Sequence, residues 1–145
     1  MPIQQITPNK AKEVLDQNSN AIYLDVRSIP EFDRGHVPQA YNIPLLHQDE
    51  DTGQLIENPD FIKVVEATFN KDQILLVGCQ AGGRSQKACN ALTQAGYQNL
   101  SNVMGGWGGG RDPQTGASIK GWSQLDLPVD QNSPHHYESI LSKVK

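Results

Sequence analysis

Two hydrophobic rhythms alternate along this chain. Residues 21–26 (Ala21-Ile22-Tyr23-Leu24-Asp25-Val26) and 73–77, ending in Ile74-Leu75-Leu76-Val77, are short, largely apolar runs of strand length, and residues 99–103 form a weaker third. Between them the apolar positions take helical spacing. Thr7-Pro8 reads as a cap followed by proline in the first helical position, leading into Ala11, Val14 and Leu15 on one face. Asn58-Pro59 repeats that signal ahead of Ile62, Val65 and Phe69. Ser85 opens a third helix, with Ala88, Ala91, Leu92 and Ala95 on one stripe and Gly96 as its stop. A short helical turn begins at Pro30, and Gly35-His36-Val37-Pro38 returns the chain toward the sheet. Strands alternating with helices predict an α/β fold: a central, mainly parallel sheet flanked by helices on both faces.

Two stretches lack either rhythm. Residues 47–57 carry Asp49-Glu50-Asp51 and Gly53 and read as a solvated surface loop. From Gly108 the chain is rich in Gly, Pro, Gln, Asn and Ser until Tyr137-Glu138-Ser139-Ile140-Leu141. The expected organisation is therefore one domain over residues 1–110 and a C-terminal extension over 111–145, either flexible or packed on the same domain at the mouth of its pocket.

Composition narrows the function classes. A length of 145 residues suits a single core. A formal charge of −4, without any Lys/Arg-rich run, argues against nucleic acid as a partner. No apolar stretch is long enough to cross a bilayer, and Met1-Pro2-Ile3-Gln4-Gln5 lacks the form of a signal peptide, so no membrane partner and a cytoplasmic location are expected. Two cysteines, Cys79 and Cys89, are too few for a disulfide scaffold, and a reducing compartment keeps Cys79 usable. The four histidines, His36, His47, His135 and His136, offer no convincing metal-ligand spacing with those cysteines, and His135-His136 reads as solvated tail.

The chemistry concentrates at Cys79-Gln80-Ala81-Gly82-Gly83-Arg84-Ser85, directly after a strand. Adjacent glycines let the backbone curl around the sulfur with its amide N–H groups inward, and the following helix points its positive end at the thiol. Both features, with Arg84 nearby, favour the thiolate, which is the nucleophile. In a parallel sheet, ligands gather beyond the carboxyl ends of the strands, where Cys79 falls. Cys79 is therefore the candidate catalytic residue, and Gln80, Ala81, Gly82, Gly83, Arg84 and Ser85 are the candidate substrate-binding cradle, with two roles open to Arg84: contact with the donor anion, or an outward turn to pair with an acid elsewhere. Structural duty is expected for Asp25, holding backbone N–H groups, for Arg27 and Glu31 as an i, i+4 pair, and for His36. Trp107 is expected as a core anchor beneath the loop, and Cys89 as a buried thiol.

With these residues in view, the chain resembles the single-domain rhodanese family of sulfurtransferases over roughly residues 6–107. Leu24-Asp25-Val26-Arg27, followed by Glu31-Phe32, is similar to that family's LDVR block. The stretch from Phe32 to Ala40 resembles its GHIPGA segment, with Gln39 where glycine is commoner. Cys79 to Ser85 resembles the active loop, and Gly105-Gly106-Trp107 the closing GGW. The chain departs from the pattern at Gly108-Gly109-Gly110 and in the tail.

The resemblance implies a thiosulfate sulfurtransferase of the rhodanese type. In it Cys79 takes sulfane sulfur from a small anionic donor such as thiosulfate, holds it as a persulfide, and passes it to cyanide or a thiol, a protein thiol included. It implies no metal and no organic cofactor. Related phosphatases of this fold separate cysteine and arginine by five residues, whereas four intervene here, and the shorter ring suits sulfur better than phosphate. A phosphatase or arsenate reductase of the same fold is the enzymatic alternative, and a non-catalytic module that binds a partner protein is the other. The uncharged Gln80 and Ala81 predict weak thiosulfate binding.

Overall fold

A computed structural model describes residues 3–144. In chain order the elements are β1 (Gln4–Ile6), α1 (Pro8–Gln17), β2 (Ala21–Asp25), α2 (Ile29–Asp33), β3 (Tyr41–Asn42), β4 (Leu46–Gln48), β5 (Leu55–Glu57), α3 (Phe61–Thr68), β6 (Ile74–Gly78), α4 (Gly83–Gln94), β7 (Leu100–Val103), β8 (Gly110–Arg111), β9 (Ser118–Ile119), a 3₁₀ turn (Trp122–Gln124) and α5 (Tyr137–Val144). Five strands form one sheet in the order β1-β7-β6-β2-β3, every neighbouring pair parallel. The α/β expectation therefore holds, with two strands, β1 and β3, that the hydrophobic pattern did not reveal.

Alternation along the central strands divides the core between the two faces of the sheet. Leu24, Val26, Leu75, Val77 and Leu100 point to the face covered by α3, α4 and α5, through Phe61, Val65, Leu92 and Ile140. Tyr23, Leu76 and Val103 point to the other face, against Ala11 of α1, Phe32 of α2 and Trp122.

A local signal accounts for the start of α1. Thr7 accepts a hydrogen bond from the Lys10 N–H at 3.2 Å, and Pro8 is the first residue of α1, as the Thr-Pro pair predicts. The Asn58-Pro59 signal is corrected: α3 begins at Phe61 after Asp60. Tertiary partners claim Asn58 instead. Its side-chain amide donates to the Pro44 carbonyl and the Tyr137 hydroxyl, and its Oδ1 accepts the Asp60 N–H.

Residues 47–57 are also corrected, since the expected loop contains an antiparallel hairpin of β4 and β5 that leaves Leu55 and Ile56 exposed. The tail contributes to both core faces. Trp122 is fully buried and donates its indole N–H to the Pro128 carbonyl at 2.6 Å, while Tyr137 and Ile140 pack with α3 on the opposite face. Nor is His135-His136 a solvated segment. His135 stacks on Tyr41, and His136 packs edge-on to Phe32 while its Nδ1 lies 3.1 Å from an Asp33 carboxylate oxygen.

Candidate active site

Cys79 follows the last residue of β6, so the sheet itself delivers the sulfur to the carboxyl edge. Gly78 must lack a side chain there, because a Cβ would overlap the Tyr23 hydroxyl that reaches beneath it. The next residues turn back over the sulfur. Gly82 N–H donates to Sγ at 3.0 Å and Ser85 N–H at 3.3 Å, while the Ser85 hydroxyl oxygen lies 3.4 Å away. Of the two glycines, Gly82 uses the left-handed region (φ 114°), whereas Gly83 is already the first residue of α4. The helix thus begins two residues earlier than its apolar stripe predicts, and its N-terminal amides face the thiol.

The loop is held from two sides. Trp107 N–H donates to the Cys79 carbonyl at 2.8 Å and Gly108 N–H to the Gln80 carbonyl at 2.9 Å. This backbone lies so close that a Cβ on Gly106 would collide with the Cys79 carbonyl, and one on Gly110 with the Ala81 carbonyl. The unusual Gly108-Gly109-Gly110 run thus lies in a strap against the active loop. On the other side, Arg84 Nη1 and Nη2 donate to the two Glu31 carboxylate oxygens at 2.7 and 2.9 Å. Burial alone would raise the Glu31 carboxyl, but hydrogen bonds from Arg84 and Ser28, with the Arg84 charge, outweigh it and hold it at about 2. Of the two roles the sequence leaves open to Arg84, the structure shows the pairing with an acid, Glu31.

The expected Arg27–Glu31 pair is corrected in the same way. Arg27 forks onto Asp25 at 2.8–3.1 Å, donates to the Gly35 carbonyl at 2.7 Å, and lies 5.0 Å from the Trp107 ring centroid. Asp25 also accepts the Arg27 backbone N–H at 3.0 Å, as a strand-end carboxylate should. His36 is buried, with Nδ1 facing the Phe32 carbonyl and Nε2 accepting the Ser133 N–H. Trp107 is half-buried beside the loop; the fully buried indole is that of Trp122, which its Gly- and Pro-rich surroundings concealed.

Cys89 is buried on α4, and burial, reinforced by Cys79, pushes its thiol up to about 12. Two depressions flank the loop. One, about 570 Å³, is largely apolar and lies between Leu45, Phe61, Ile62, Gly83, Arg84 and Lys87. The other, about 390 Å³, runs past Ala81, Gly82, Gln86 and Asn102 with Lys87 and Arg111 at its edge. Asn102 was missed by sequence reasoning. Its Oδ1 accepts the Ser85 hydroxyl at 2.5 Å, and the only signal was a polar residue at an inward position of a strand. Among the described residues no cluster of three metal-ligating side chains occurs, and no helix is long and apolar enough to cross a membrane.

Comparison with known proteins agrees with this architecture. A family model described as a rhodanese-like domain matches residues 7–111. The chain is 45% identical over 85 residues to Protein HIGH ARSENIC CONTENT 1, mitochondrial, of Arabidopsis thaliana, covering 59% of this chain and 49% of that protein; it spans about half that relative's length. It is 34% identical over 105 residues to Thiosulfate sulfurtransferase 18 of the same plant, covering 72% of this chain and 76% of the relative. Among solved structures, Rv0390 from M. tuberculosis superposes with a TM-score of 0.72 at 26% identity, covering 91% of this chain and all of the other. A rhodanese-like domain protein from Staphylococcus aureus gives 0.57 at 29% identity over 72% of this chain and 87% of its own.

Proposed function

The chain belongs to the rhodanese-like domain family, and from that premise we propose that it is a sulfurtransferase whose Cys79 carries sulfane sulfur from a small anionic donor such as thiosulfate to a thiophilic acceptor. The observation that carries this is the convergence of the Gly82 and Ser85 N–H groups on Sγ at the positive end of α4. Those donors favour negative charge at the sulfur, both on the attacking thiolate and on the persulfide that replaces it. The thiolate attacks the outer sulfur of thiosulfate. A new S–S bond forms as the bond to the sulfonate sulfur breaks, and sulfite departs with the electron pair. Cyanide or a thiolate then attacks the terminal sulfur, and the Cys79 thiolate is released.

In this scheme the backbone of Gln80 to Ser85 cradles the donor, and Arg84 serves by holding the loop through Glu31. That commitment disfavours the phosphatase and arsenate-reductase alternatives, because the loop's one arginine is not free to clasp a tetrahedral oxyanion. Both cysteines are free thiols, which suits a reducing compartment such as the cytosol.

The test is intact mass after incubation with thiosulfate, for the wild type and Cys79→Ser, before and after cyanide. Gain of one sulfur by the wild type alone, lost to cyanide, is the expected result. No gain by either protein would move the partner-binding alternative ahead.

A further inference from the structure

Ser85 sits against the sulfur, but its hydroxyl proton points elsewhere. The O–H donates to Asn102 Oδ1 at 2.5 Å, with the Gly82 carbonyl 3.1 Å away as its other acceptor, so the face of Oγ toward Cys79 is a lone pair. That arrangement accepts a proton from a neutral S–H. The hydroxyl so oriented adds nothing to an anionic sulfur, which gains a third donor beside the Gly82 and Ser85 N–H groups only if the O–H turns toward it.

Turning the hydroxyl alone would strip the donor from Asn102 Oδ1, in a residue that is 4% exposed, and a buried orphaned acceptor is costly. The surroundings of Asn102 provide a way out. Asn102 Nδ2 donates to Gln5 Oε1 at 2.9 Å, Gln5 Nε2 to Gln86 Oε1 at 2.6 Å, and Gln86 Nε2 to Asn90 Oδ1 at 3.1 Å. The side chains come from three elements, β7, β1 and α4, and every member is a primary amide whose two ends have nearly the same shape. Half-turns of all four reverse every bond without moving the chain. Asn102 Nδ2 then donates to Ser85 Oγ, the Ser85 O–H is free for the sulfur, and the last mismatch falls on exposed Asn90, where water resolves it.

We propose that Asn102 is a positioning residue for the reaction at Cys79: it heads a four-amide relay, Asn102-Gln5-Gln86-Asn90, that reverses its polarity when the sulfur becomes anionic and so turns the Ser85 hydroxyl to it. The proposal rests on the sulfur-transfer function for its catalytic consequence, but not for its chemistry at the thiol. The charge of the sulfur is felt by Tyr23 on β2 and by Arg84 and Cys89 on α4, and Asp25 and Arg27 also bear on Tyr23. All are left unaltered in the test.

Gln5→Glu provides that test, because a carboxylate cannot donate to Asn102 and so holds its Nδ2 toward residue 5 and its Oδ1 toward Ser85, as observed, while Gln86 turns its own NH₂ to the new acid; neither Ser85 nor the sulfur is touched. Gln4→Glu, on the adjacent exposed position of the same strand, carries the same charge as a control. Iodoacetamide alkylation of Cys79 in Gln5→Glu should slow about tenfold at neutral pH and recover at alkaline pH, the loss of about one charge-assisted hydrogen bond. Persulfide formation from thiosulfate should fall in kcat with KM within about twofold. Gln4→Glu should leave both within about twofold, and Gln5→Met, which frees Asn102 to rotate, should stay near the wild type. Equal slowing by the two Glu variants would overturn the relay in favour of simple charge repulsion.

A measurement on the unaltered chain guards against misfolding of the variants. The side-chain NH₂ resonances of Asn102, Gln5 and Gln86 should all move when Cys79 is made anionic, by raising the pH or by persulfidation, and should stay near their resting positions when it is alkylated to a neutral thioether. Movement confined to the backbone amides of residues 80–85 would overturn the proposal. Alkylation needs no sulfur donor, so it still tests the relay if the wild type takes up no sulfur from thiosulfate, an outcome that would count against the proposed function alone.

Discussion

Arg84 grips Glu31 with two parallel hydrogen bonds, 2.7 and 2.9 Å long, and so ties the first turn of α4 to α2 across the mouth of the active loop. The same carboxylate accepts the N–H and O–H of Ser28, so one acid both caps α2 and anchors the loop. Because Glu31 is depressed to about 2 in the fold from its ordinary 4.5, the pair contributes stability that is fully present above 4.5 and is lost as pH falls toward 2. Thermal unfolding of the wild type and Glu31→Gln should therefore differ at neutral pH and converge through that acid window. A difference that persists unchanged at the acid end would show that the carboxylate charge is not what holds the loop.

Gly106 should not tolerate alanine. Its backbone has φ 47°, and a Cβ would meet the Cys79 carbonyl, a rigid backbone atom. Gly106→Ala is expected to cost about 1–3 kcal/mol in urea unfolding and to lower sulfur uptake by displacing the loop. Unchanged stability would mean that the strap can move away from the loop at little cost.

Gln39 has φ 66°, the one non-glycine side chain in the left-handed region among the described residues, at the position where the family resemblance leads one to expect glycine. It is exposed and its left-handed backbone costs about 1–2 kcal/mol, partly offset by the entropy that glycine gives the unfolded chain. Gln39→Gly should raise the urea midpoint by the equivalent of about 1 kcal/mol. A lowered midpoint would assign the side chain a stabilising role.

Trp122→Ala removes a fully buried indole that packs edge-on to Tyr23, and about 3–5 kcal/mol of stability should go with it. Chemical denaturation reads this directly. A loss below about 1 kcal/mol would make the tail an appendage of the core.

Cys89 should be silent in the native protein. Its thiol, raised to about 12 by burial and by Cys79, should resist iodoacetamide at neutral pH until the chain unfolds. Peptide mapping after brief native labelling should find the adduct at Cys79 alone, and an adduct at Cys89 would show that α4 opens.

The linear order of residues determined what depends on neighbours in sequence. Strands β2, β6 and β7, the Thr7-Pro8 helix start and the thiol-glycine-helix junction at Cys79 all rest on local periodicity, capping and backbone freedom, and were legible for that reason. What only the tertiary structure decided are choices among distant partners. Arg84 could face a donor or an acid, Arg27 could pair with Glu31 or Asp25, and Asn58 could cap a helix or bridge Pro44 to Tyr137; each outcome depends on which group the fold brings within 3 Å or so. The two-residue β3 was invisible because pairing with β2, not its own pattern, makes it a strand. Asn102, Gln5 and Gln86 lie far apart in the chain and carry no motif, and they become neighbours of the sulfur's serine only because β1 pairs with β7 beneath α4.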